Sequence, residues 1–159
     1  MNDRPSALVE IILVAAWLGA AIFFSAVVAQ AAFAVLPTRT LAGALVGRVL
    51  PVLFYAGMAV GALIVIIEGV WGAGWVGGRG VAGVLVFAAC AVAQFIIGAR
   101  IERVRAEIGG PIDALSPTDP RRLTFGRLHA VSVGWLGVAM VAAIVALVLA
   151  SRAAHSRTT

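Results

Sequence analysis

Four runs without a formally charged side chain dominate this chain: Ile11 to Leu36, Val49 to Ile67, Gly80 to Ala99 and Leu128 to Ala150, with His129 counted as neutral. A helix needs about 20 residues, at about 1.5 Å each, to cross a hydrocarbon core of roughly 30 Å, and each run meets or approaches that length. Lipid offers the backbone N–H and C=O groups nothing to bond, so such segments must be helices that satisfy themselves internally. The expected fold is all-α, a polytopic membrane protein built as a four-transmembrane-helix bundle, with one membrane domain over residues 1–159. The apolar runs and their flanking stop signals predict helices over about 8–36, 42–69, 80–108 and 120–151.

Composition narrows the function classes. Charged residues make up 12% of the chain, about half the roughly 25% of a soluble domain, and the mean hydropathy is +1.07. A net charge of +5 would suggest nucleic acid in a soluble protein. Here the charges sit in short loops beside apolar spans, where they set orientation, and no basic stripe is interleaved with exposed aromatics, so nucleic-acid binding is not expected. All 12 cations are arginine, which leaves no lysine for Schiff-base chemistry. The single cysteine, Cys90, excludes an internal disulfide and a multi-cysteine metal site. Glu10 and Glu68 stand near helix ends on one side of the membrane, but no nucleophile or metal cluster accompanies them. There is no HExxH, no GxSxG and no phosphate-cradling loop, and the "GAGWVGG" turn follows no strand. The chain is read as a non-enzyme without a cofactor.

The loops carry their own signals. "PTRT" (Pro37 to Thr40) ends the first helix, because proline disfavours helix in the residue before it and threonine prefers caps. A helix from Leu41 to Glu68 would exceed the membrane thickness, so an interfacial first turn, a tilt or a kink near Pro51 is expected. The glycine-rich second loop carries Trp71 and Trp75, which suit the headgroup level. In the third loop, Arg100 to Ile108 continues the third helix, with Ile101, Val104 and Ile108 on one face and an Arg103–Glu107 pair at i,i+4. "GGP" stops that helix; Ser116 or Asp119 then caps the fourth, with Pro117 or Pro120 in its first position. Ala29-Gln30-Ala31 has the pattern of a signal-peptidase site. The preceding apolar run is longer than the roughly 7–15 residues of a cleavable signal, so the first helix is expected to be retained.

Arginine counting gives an orientation. Arg39, Arg48, Arg100, Arg103, Arg105, Arg121, Arg122 and Arg127 flank the first and third loops, against Arg4, Arg79, Arg152 and Arg157 at the other side. The bias puts loops 37–48 and 100–127 in the cytoplasm and both termini outside a cell inner membrane.

With that topology, one leaflet collects most intramembrane polar groups: Gln30 on helix one, Arg48 and Tyr55 on helix two, Gln94 and Arg100 on helix three, and His129 with Ser132 on helix four. Polar side chains at that depth face a bundle interior or a wet cavity, which makes this layer a candidate ligand-binding site. A structural reading stands beside it, with Gln30 and Gln94 bonding between helices and Arg48, Arg100 and Arg127 snorkelling to headgroups. Met58, Cys90 and Met140 fall near mid-depth, where soft ligands suit a Cu(I)-like metal and equally serve as ordinary packing residues. Gly57 and Gly61 form a GxxxG face, available to the bundle or to a dimer.

Three patches together, "WLGAAIFFSAVVAQAAF", "AGALVGRVLPVLFYAGM" and "FGRLHAVSVGWLG", resemble the transmembrane protein 205-like family, a bacterial domain of unknown function. Gly134 and Trp135 stand where that family leads one to expect an asparagine. The resemblance implies a four-helix integral membrane protein without an established enzyme activity. Two roles follow as expectations: handling of a small molecule, ion or lipid through the polar layer, or service as an accessory or scaffold subunit. The partners expected are the lipid bilayer and a homo-oligomer or larger membrane complex.

Overall fold

A computed structural model describes residues 3–72 and 74–155. Among these the chain is helical and contains no strand. The first span comprises α1 (Asp3–Phe23), a π-helical stretch (Phe24–Val28) and α2 (Ala29–Val35). The second is α3 (Arg39–Trp71). The third comprises α4 (Gly78–Ala91), a π-helical stretch (Val92–Gly98) and α5 (Ala99–Ile108). A 3-10 turn (Ile112–Ala114) leads to the fourth span, α6 (Pro120–His155). All four spans are long and apolar enough to cross a membrane, as expected of a multi-pass membrane protein.

Local chemistry sets the boundaries. Leu36 is extended ahead of Pro37, and Thr38 caps α3 by accepting from the Leu41 N–H at 3.2 Å. Gly109 closes α5 in the left-handed conformation at φ +65°. Of the two caps open to α6, the chain uses Asp119: its Oδ1 accepts from the Arg121 N–H at 2.8 Å, and Pro120 takes the first helical position. The ion pair on α5 is Arg105–Glu102 at 2.9 Å, not the expected Arg103–Glu107. Pro51 lies inside α3, which runs through it as one helix.

The spans run antiparallel and each packs against two neighbours, closing a ring in the order first, second, third, fourth. Association in lipid depends on close packing and on hydrogen bonds between helices, since the tails are as apolar as the side chains. Small residues supply the packing here. A Cβ on Gly61 would lie 2.7 Å from both Gly83 O and Phe87 N, and one on Gly83 would lie 2.9 Å from Ile64. A Cβ on Gly57 would meet Cys90 Sγ at 2.6 Å and the Trp17 ring at 2.9 Å. The GxxxG face is thus used inside the bundle. Trp17 also donates from Nε1 to the Leu53 carbonyl at 2.9 Å, tying the first span to the second. α6 meets its neighbours with a stripe of buried alanines, including Ala139, Ala143, Ala146 and Ala150.

Candidate functional site: an arginine-lined cavity at the loop end

Opposite the termini, the inter-helix space opens into a cavity of about 700 Å³. Its walls come from the first turns of α3, the π-helical stretch of the third span, α5, and the start of α6. The π stretch matters because a wide turn re-aims the helix beyond it. Gln94, inside that stretch, and Arg105, on α5, both line the cavity.

The lining combines three arginines and two carboxylates, Glu102 and Asp113, with apolar side chains. Arg39, Arg105 and Arg122 line the cavity together with Leu50, Phe54 and Phe95. Arg105 stands over the Phe125 ring at 5.6 Å, and Phe125 is stacked on His129 at 6.5 Å with 4° between the rings. This column holds the guanidinium at the cavity wall by a cation–π contact as well as by its pair with Glu102. Arg122 is fixed by donating to the Leu115 carbonyl at 2.7 Å. Thr40 donates from its N–H and its hydroxyl to Asp113 Oδ2, at 2.9 and 2.8 Å, which pins the third loop to the start of α3. Nearby, hydrogen bonds from the Arg121 side chain and then its backbone N–H hold the Asp119 carboxyl below its ordinary pKa.

Of the seven polar residues expected to meet at this level, Gln94, His129 and Ser132 line the cavity, Ser132 being buried. Gln30, Arg48, Tyr55 and Arg100 do not join them; all four are exposed on the outside of the bundle. Helical rotation of about 100° per residue explains this, since Val46, Phe54 and Ile97 take the inward positions on their helices. Tyr55 instead meets Phe95 edge-on at 6.0 Å. The cations the cavity does use, Arg39, Arg105 and Arg122, come from the loop flanks, where they read as orientation charges. The signal for Arg105 was its i,i+3 spacing from Glu102 on an amphipathic continuation of helix three.

Met58 and Cys90 are buried in the core, and Met140 packs against it. The Cys90 thiol fills the notch at Gly57. No three His, Cys, Asp or Glu side chains among the described residues are grouped to hold a metal ion.

A second polar centre lies at the other end. Arg79 reaches Glu10 at 3.1 Å and Glu68 at 2.8 Å, and the two carboxylates are only 2% and 1% exposed, so this is an interior cluster. The sequence places each of the three one residue outside an apolar run, beside Ile11, Ile67 and Gly80, and hence at one level.

No curated protein and no solved structure matches the chain. A family model described as "Domain of unknown function (DUF4149)" matches residues 12–109, the first three spans up to the end of α5. The match covers more than half of the sequence and includes Trp17, Gly61, Gly83 and Arg105, which build the bundle and the cavity wall, so the chain belongs to this DUF4149 family.

Proposed function

We propose that the cavity binds an amphiphilic anion, a molecule with a phosphate or carboxylate head and an apolar tail, and that the protein handles such a molecule without chemically converting it. The observation that carries this reading is that one cavity is lined both by three guanidinium groups (Arg39, Arg105, Arg122), in excess over the carboxylates Glu102 and Asp113, and by apolar side chains (Leu50, Phe54, Phe95). Guanidinium groups bind carboxylate and phosphate oxygens through paired hydrogen bonds, and the apolar side chains suit an acyl chain that stays in lipid. Gln94, His129 and Ser132 add hydrogen-bonding groups deeper in the same space. In this reading loops 37–48 and 100–127 face the cytoplasm of a cell inner membrane, with both termini outside, supported by the excess of arginines at that end. Membership among the transmembrane protein 205-like proteins belongs to this reading, supported by the resemblance of the helix-one, helix-two and helix-four patches.

The test is thermal unfolding in a mild detergent with added phosphatidylglycerol, phosphatidylcholine or inorganic phosphate. Phosphatidylglycerol is expected to raise the Tm of the wild type, and the rise to be lost in Arg105→Gln and His129→Ala. Arg48→Gln, on the outer surface, should retain it. Equal stabilisation by the two lipids, or wild-type behaviour of Arg105→Gln, would refute the site. A response to phosphate alone would reassign it to a free anion.

A second reading, the accessory or scaffold subunit, draws on the apolar groove that Gly78, Ala82, Leu85, Gly137, Val141 and Val145 form between α4 and α6. Under it, native purification brings down a stoichiometric membrane partner, and a lone oligomer argues against it.

A further inference from the structure

We propose that Glu10, Glu68 and Arg79 form a buried proton-binding site, in which the two carboxyl groups share one exchangeable proton beside the guanidinium. The site is independent of the cavity at the opposite end.

Three spans build it. Glu10 comes from α1, Glu68 from the last turn of α3 and Arg79 from the first turn of α4. The connection between α3 and α4 closes over it, with the N–H groups of Gly72 and Gly74 both donating to the Glu68 carbonyl, at 3.2 and 3.0 Å. A Cβ on Gly72 would lie 2.5 Å from Glu68 Oε1, so a larger residue there would displace the carboxylate. The loop backbone therefore sits directly against the carboxylate.

The charges do not balance. Arg79 Nη1 donates to Glu10 Oε2 at 3.1 Å, and Nη2 lies 2.8 Å from Glu68 Oε1. One guanidinium thus serves two carboxyl groups. Glu10 Oε1 and both Glu68 oxygens are buried without a hydrogen-bond partner. If both carboxyls were ionised, one negative charge would be left uncompensated in the protein interior, the arrangement that burial penalises most. Among the described side chains, no other charge faces the centre: α6 brings buried Ala146 and Ala150 to this end, and its Arg152 and His155 are exposed.

One added positive charge removes the imbalance, and a proton fits the geometry better than a metal ion. The two terminal nitrogens of one guanidinium hold Glu10 Oε2 and Glu68 Oε1 at 3.1 and 2.8 Å, so a proton on either carboxyl neutralises the whole centre. A hard cation such as Ca²⁺ takes about six to eight oxygens, more than two carboxyls supply, and it would have to sit beside the guanidinium. Release breaks one carboxyl O–H bond and passes the proton to water, taking the centre from neutral to a single negative charge.

Infrared spectroscopy of the full-length protein in lipid vesicles at neutral pH tests this, because a protonated carboxyl shows a C=O stretch that a carboxylate lacks. The wild type is expected to show that band, shifted by ¹³C labelling of glutamate, and Glu10→Gln and Glu68→Gln each to abolish it by leaving one carboxylate against Arg79. Absence of the band in the wild type, or its persistence in both variants, overturns the proposal. Should the variants fail to fold, the labelled wild type still decides, since the other glutamates, Glu102 and Glu107, are exposed. A band that appears only when sodium is replaced by N-methylglucamine would assign the site to a metal cation and overturn the proton.

Discussion

Gly61→Ala adds one methyl group at the tightest approach between the second and third spans. The new Cβ would stand 2.7 Å from Gly83 O and Phe87 N, whereas ordinary contact begins at 3.4 Å. The helices must therefore part by about 0.7 Å, and since both obstructing atoms are backbone, no side chain can swing aside. Overpacking of this kind costs ~1–3 kcal/mol, and rigid neighbours place it near the upper end. Replacing glycine by alanine within a helix returns up to ~1 kcal/mol. The net loss is about 2 kcal/mol, roughly thirtyfold in the unfolding equilibrium. Titration with a denaturing detergent in mixed micelles, followed by circular dichroism, measures it. Gly134→Ala is the control: nothing lies within 4 Å of its added Cβ, so the same chemical change should be neutral or stabilising. If Gly61→Ala is as stable as Gly134→Ala, the packing account of the bundle is wrong.

Two further outcomes follow from the geometry. Trp17→Phe keeps most of the ring but loses the bond to the Leu53 carbonyl, and should cost about 0.6–2 kcal/mol in the same detergent titration. Asp119 is hydrogen-bonded to Arg121, which lowers its pKa in the folded protein. Its contribution to stability is therefore present above the ordinary carboxylate value of about 3.9 and lost as the pH falls through the lower folded value. An NMR titration of the Asp119 carboxyl should find its midpoint below that ordinary value, and Arg121→Gln should raise it.

The spans were legible because membrane length and the absence of charge leave a long apolar run few alternatives. Asp119 could be read as one of two candidate caps because its chemistry is local, whereas Thr38 read only as part of the stop after the first helix. The site was only half legible. Depth can be counted along a sequence, so Gln94, His129 and Ser132 were placed at one level with Gln30 and Arg48. Facing depends on how each helix is rotated against its neighbours, which packing sets for Arg48 and Tyr55 on α3 and which the π-helical stretches of the first and third spans shift further for Gln30 and Arg100. Arg79 illustrates the other difficulty. Its position at a span boundary reads as an orientation charge, and only the packing of three helices brings Glu10 and Glu68 onto it.

The wide turn at Val92–Gly98 has a consequence for how this scaffold tolerates change. It divides the third span into two rotational registers: the half before it, with Gly83 and Cys90, is keyed to α3, and the half after it aims Arg105 at Phe125. Removing one residue within the turn would leave the first half in place and swing the second by about 100°. The number of residues in that stretch, more than the identity of any one of them, decides which side chain stands opposite Phe125.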